Sequence, residues 1–356
     1  MDNIDRGNVV SRAFYKFSRT QVIQYIKEKK DGWVHDKKDK NKRDLEGAFM
    51  ALENVLSDQD IKDLAEMNVM KRKKGLAAYT YSFKSLGKLK DKTLEQLKQE
   101  FIKSYILTPM YEVTLTEINI EDNKVTLLLK VKEYASYWKT GVQDLGSLTA
   151  VYENKVIFET DANKISIEVG DDNIEEIIEK FLVSRLNIPL NPYTINIFNV
   201  TNSGNDSATE KTMLIFDYIY NRLSSRQISS KFNDVKFGMN NASRSGGVKS
   251  VAVNGDDIIK SDEACKYITL GNDIISFKTT SIYKGSKVNI TFSLRGKEKD
   301  KLKIAILNNK AESLKQELMQ IMQEEYILMC KEGIKDISAT RRILEPIYES
   351  FIASRS

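Results

Sequence analysis

Two periodicities divide this chain. Up to about residue 110, apolar side chains recur every three or four positions, as on one face of a helix; from Tyr111 they alternate with polar ones, as on strands. In "SRAFYKFSRTQVIQYIKEKK" (11–30), Phe14, Phe17, Val22, Ile23 and Ile26 predict a helix with one apolar side. The polar loop "DGWVHDKKDKNKRD" (31–44) follows, and "LEGAFMALENVL" (45–56) resumes the helical rhythm through Leu45, Phe49, Leu52 and Leu56. Ser57 offers an N-cap to the next helix, and Thr93 caps a helix predicted over 94–107.

The alternating part reads as hairpins. "YEVTLTEINIEDNKVTLLLKVKEY" turns at Asp122-Asn123. "AVYENKVIFETDANKISIEV" (150–169) offers turns at Glu153-Asn154 and Asp161-Ala162-Asn163, and "NDIISFKTTSIYKGSKVNITFSLRG" (272–296) turns at Gly285-Ser286. Helices are predicted over 171–187, with Asp172 and Glu175 at capping-box spacing, and over 211–223, behind Ser207 and Glu210. In the last long helix, 307–333, Leu314, Leu318, Ile321 and Leu328 form a stripe that packs on the body or, through 309–331, pairs with a second copy. The class is α+β: a helical N-terminal third, then an antiparallel hairpin-rich sheet with packed helices and a long C-terminal helix. At 356 residues more than one core is expected. The linear reading divides the chain into a basic, mainly helical region 1–110, an α+β antiparallel sheet region 111–300, and a C-terminal region 301–356 of a strand and helices.

One strand raises a functional question. In "KRKKGLAAYTYSFKSLGKLK" (71–90), four bases stop at Gly75, and a strand over 76–83 puts Ala77, Tyr79, Tyr81 and Phe83 on one face. Leu76, Ala78, Thr80 and Ser82 take the other. Rings beside lysines are how single-stranded nucleic acid is stacked. Because the small-residue face could not build a core alone, the rings are expected to do the burying, with their hydroxyls reaching the surface.

Charge sharpens that question. Residues 1–110 hold 23 Lys/Arg against 16 Asp/Glu, a net of +7, whereas the remainder is at −2. Such a local excess draws polyanions. The candidate nucleic-acid contacts are Lys37, Lys38, Lys40, Lys42 and Arg43; Lys71, Arg72, Lys73 and Lys74; Tyr79 and Tyr81; and Arg244 with Lys249 in the loop "GMNNASRSGGVKS" (238–250).

Other chemistries are narrowed by what is missing. The single histidine, His35, excludes Ser-His-Asp and Cys-His machinery and HExxH zinc sites, and it reads as an exposed bystander. No GxxxxGK[ST] and no strand-linked GxGxxG occurs, so neither P-loop nor dinucleotide chemistry is indicated. Two cysteines far apart, Cys265 and Cys330, suit a reducing compartment, and neither a leader-like N-terminus nor a membrane-length apolar run is present. No cofactor is expected. Carboxylate–magnesium chemistry stays open at Asp217 with Asp234-Val235-Lys236, and at Asp256-Asp257. The preferred expectation is a non-enzymatic, cytoplasmic protein that binds duplex DNA without reading sequence. A magnesium-dependent nuclease and an assembly protein of a phage, plasmid or defence system are the alternatives.

Overall fold

Side-chain acceptors set where the helices begin, and β-branched runs set where the sheet takes over. A computed structural model describes residues 6–36, 38, 40–135, 145–197, 207–239, 248–307 and 310–353. Among them the helices are α1 (Arg6–Lys16), α2 (Arg19–Lys29), α3 (Glu46–Met50), α4 (Asp58–Val69), α5 (Leu94–Phe101), α6 (Asp172–Ser184), α7 (Glu210–Asp217), α8 (Asp262–Thr269), α9 (Glu312–Glu332) and α10 (Ile337–Ala353). The first six strands are β1 (Gly75–Phe83), β2 (Ser104–Thr108), β3 (Tyr111–Glu121), β4 (Lys124–Tyr134), β5 (Leu148–Glu159) and β6 (Lys164–Glu168). The other six are β7 (Leu190–Pro192), β8 (Ser229–Gly238), β9 (Ser250–Asn254), β10 (Asp273–Tyr283), β11 (Ser286–Arg295) and β12 (Lys301–Leu307). The fold is α+β, with an antiparallel sheet in the order β2-β3-β4-β5-β6-β1-β12-β11-β10-β8-β9 and β7 added to one end of β1.

Contacts group the chain into two units. The first takes residues up to Arg72 together with 91–119 and 127–155; the second takes 73–90, 120–126 and 156 onward. In the first unit the expected helix over 11–30 is two. Ser18 accepts from the Gln21 amide at 3.3 Å while the Gln21 side chain accepts from the Ser18 amide at 2.9 Å, a reciprocal cap that starts α2. Ser57 with Asp60 starts α4 in the same way. Phe14, Phe49 and Ile61 fill the space between these helices. The helix expected over 94–107 ends at Phe101; Ser104–Thr108 is instead a strand, with Tyr105 opposite Val113. Tyr, Ile and Thr in that stretch fit a pleated surface better than a helix. Glu153-Asn154 is not a turn either, because β5 runs through it, with Asn154 buried and its amide nitrogen on the Tyr152 carbonyl.

In the second unit β1 lies between β6 and β12 and is covered on both faces. Leu76 and Ala78 join the core formed by Leu318, Met322 and Tyr326 of α9, so the small-residue face does build a core once a helix lies against it. Gln323 of α9 donates to Ser166, the partner of Thr80 across the β1–β6 ladder. The α9 stripe is therefore consumed within its own unit: Leu318 is fully buried and Leu314 and Ile321 pack against the core, while Leu328 is exposed. Two caps fall a residue or two from expectation, Asp171 at α6 and Thr209 at α7.

Candidate nucleic-acid interface

The four cations of 71–74 sit in extended chain between α4 and β1, and all four are exposed. Backbone pairing fixes the start of the run, since the Lys71 amide donates to the Val151 carbonyl at 2.8 Å. Among the described residues none of the four side chains has an ion pair or hydrogen bond. Lys73 acts only at a distance, adding to the field with which Lys315 holds the Glu312 carboxyl below its usual range. Three other cations of the basic third are paired: Arg6 with Asp58 at 2.6 Å, Lys29 with Asp60 at 2.5 Å, and Lys92 with Glu100.

Lys38, Lys40 and Arg43 are exposed in the first unit. Two of the acids that dilute this segment in the sequence serve the backbone instead: Asp36 accepts from the Lys38 amide and Asp44 from the Asn41 amide. Lys42 turns inward, its ammonium 4.9 Å from the Phe14 ring centre and 3.0 Å from the Tyr15 carbonyl. Lys249, in the second unit, is exposed just before β9. Lys37 and Arg244 lie outside the described residues. His35 is half-buried rather than free, with a ring nitrogen 3.1 Å from Arg19 and its ring edge-on to Trp33.

Tyr79 and Tyr81 are a correction. Both rings are buried, at 1% and 0% exposure, so no face remains for a base. They lie under α6, where the Tyr79 hydroxyl donates to Asp172 at 2.7 Å and the Tyr81 hydroxyl reaches Glu175 and, at 3.0 Å, Glu179. From β12, Lys301 and Lys303 cover the same rings, with the Lys301 ammonium 4.7 Å from the Tyr81 centre and 5.1 Å from that of Tyr79. Lys301 pairs with Glu175 at 2.6 Å, Lys303 with Asp172 at 2.7 Å, and Arg295 with Asp172 at 3.1 Å.

These three cations stand against Asp172, Glu175 and Glu179, and the network neutralises itself. Burial, then the bond to Asp172, holds the Tyr79 phenol far above its usual range. Burial also pushes the Glu175 carboxyl up, against the pull of Lys301. Asp172 goes the other way, because hydrogen bonds from Lys303 and Tyr79 outweigh its burial. The cluster ties β1 and β12 to α6. Its signal in the sequence is Lys301-x-Lys303 on a strand, with acids at 172, 175 and 179 along one side of a helix.

The carboxylates considered for metal chemistry also have other work. Asp217 is fully buried and accepts from the amides of Lys335 and Asp336 at 2.9 and 3.1 Å, holding the start of α10, while Arg222 pairs with it at 3.2 Å. Asp234 pairs with Lys278 of the neighbouring strand. Asp257 sits in a left-handed turn after β9, at φ 54°. Among the described residues no three His, Cys, Asp or Glu side chains are grouped to hold a metal ion, and no helix is long and apolar enough to cross a membrane. No protein-family model matches the chain, and no curated protein does.

Proposed function

We propose that this chain binds nucleic acid, duplex DNA above all, by gripping the phosphate backbone with Lys71, Arg72, Lys73 and Lys74. The observation that supports this reading is the unmatched state of the run. Among the described residues the four consecutive cations stand exposed with no carboxylate partner, while Arg6, Lys29 and Lys92 of the same basic third are each paired. Lys38, Lys40 and Arg43 are exposed as well and add to the positive charge of the first unit. Binding of this kind is indifferent to base sequence, since phosphate contacts carry no sequence information.

Counterion release gives the test. With about six phosphate contacts, log K falls with log salt at a slope of about −5. Changing Lys71, Arg72, Lys73 and Lys74 together to Glu is expected to flatten that slope by roughly 3 to 4 and to abolish measurable binding at 200 mM salt. Fluorescence anisotropy of a labelled duplex reads both quantities. Unchanged affinity and slope in that variant would sink the proposal.

A further inference from the structure

The sheet of the second unit has two outer halves that differ in charge. Where α6 covers it, the cations have acids: Lys301 with Glu175, and Lys303 and Arg295 with Asp172. Beyond α6 the same face continues over β11, β10 and β8. Lys231, Lys236, Lys278 and Lys287 are exposed there, and Asn289 stands beside them.

Register and side-chain contacts place these residues together. Lys231 lies opposite Thr280, which lies opposite Asn289, and the Thr280 hydroxyl donates to Asn289 at 3.2 Å. Lys236 lies opposite Ser276, which lies opposite Ser293, and those two hydroxyls are 3.1 Å apart. Between these rows Lys278 lies opposite Thr291 and pairs with Asp234. Lys287 lies near the start of β11, opposite Ile282. Among the described residues Lys231, Lys236 and Lys287 have no ion pair. The β8 and β10 ladder carries two register shifts, at Ile274/Ser276 and Lys278/Thr279, and these keep the phenylalanines of β8 inward and its lysines outward.

We infer that this open face is a second nucleic-acid surface, on which the outer lysines of β8 and β11 grip the two phosphate rails flanking a groove. Strands β8 and β11 lie two strand spacings apart, about 10 Å. That is close to the width of about 12 Å of a DNA major groove. The rows between them carry hydroxyl and amide groups and no ring for stacking, so duplex is preferred over single strand. The surface is separate from Lys71–Lys74, and the inference does not depend on that run.

The test removes charge without reversing it, by combining Lys231→Gln, Lys236→Gln and Lys287→Gln and leaving the Lys278–Asp234 pair in place. Duplex affinity is expected to fall at least tenfold, and the salt slope to flatten by about 3. Unchanged affinity and slope overturn the inference, whatever the Lys71–Lys74 variant does. A loss confined to the sheet variant upholds this surface while removing the first proposal; a loss confined to the Lys71–Lys74 variant does the reverse. Should the triple variant melt early, acylation of surface lysines in the wild-type protein decides instead: protection of Lys231, Lys236 and Lys287 by duplex supports the surface, and unaltered reactivity overturns it. Binding to phosphatidylserine vesicles without binding to duplex also overturns it.

Discussion

Gly75 shows what one residue decides. It ends the cationic run and opens β1 at φ 152°, directly opposite Leu307, and a Cβ there would stand 2.1 Å from the Ile306 carbonyl oxygen. Backbone cannot yield as the end of a flexible side chain can, so the β1–β12 ladder would have to open. Gly75→Ala is expected to destabilise by about 2 kcal/mol or more in urea unfolding. Gly170→Ala, where nothing lies within 4 Å, is the control, and it should stay within about 0.5 kcal/mol of wild type. Equal behaviour of the two variants would refute the close-approach argument. Tyr79 and Tyr81 teach a related lesson. Their alternation is plain in the sequence, but whether an aromatic face is platform or core depends on what lies over it. Here α6 lies over it, bringing three acids for the hydroxyls and the lysines.

At the scale of elements, ion pairs between helix and strand give the first unit a pH response. Glu66 of α4 accepts from Lys130 at 2.7 Å and pairs with Lys132 at 2.9 Å, and Lys132 also reaches Glu112 at 3.2 Å. Burial alone would raise the Glu66 carboxyl, but the two lysine hydrogen bonds more than offset it, and the net shift is downward. A carboxylate depressed in the folded state stabilises above its unfolded value, about 4.3, and that contribution fades as pH falls through the lower folded value. Glu66→Gln should therefore cost on the order of 2 kcal/mol at pH 7. Its deficit against wild type should shrink steadily below about pH 4. Urea midpoints across that range provide the measurement, and a deficit independent of pH would contradict the assignment. Ser18, which splits 11–30 into α1 and α2, was not read as a cap, whereas the caps of α4 and α5 were readable from Ser57 and Thr93, because a cap and its N3 partner lie three residues apart. The strand at 104–108 was not, since it exists by pairing with β3.

For the whole molecule, the two cysteines report on how the second unit holds together. Cys265 of α8 and Cys330 of α9 belong to one core and are 1% and 4% exposed. Burial raises both thiols, that of Cys330 to about 12. A buried protonated thiol is inert. Both are expected to resist a thiol reagent at neutral pH and then to react together, at the rate of global unfolding. Mass spectrometry showing one thiol labelled well ahead of the other would point instead to local opening of α8 or α9.

The sequence by itself determined what depends on near neighbours: the class α+β, the starts of α4 and α5, the hairpins at 122–123 and 285–286, and the exposed state of Lys71–Lys74. These follow from propensity, capping and turn chemistry, which act over a few residues. Only the tertiary structure decided which units the segments join, that β1 is covered on both faces, and that Lys301 and Lys303 are neutralised while, among the described residues, Lys231, Lys236 and Lys287 are not. The reason is that charge along a chain says nothing of charge across a sheet. Residues more than fifty positions apart become neighbours through ladder register, and a helix laid over one part of a face supplies its counter-charges there alone.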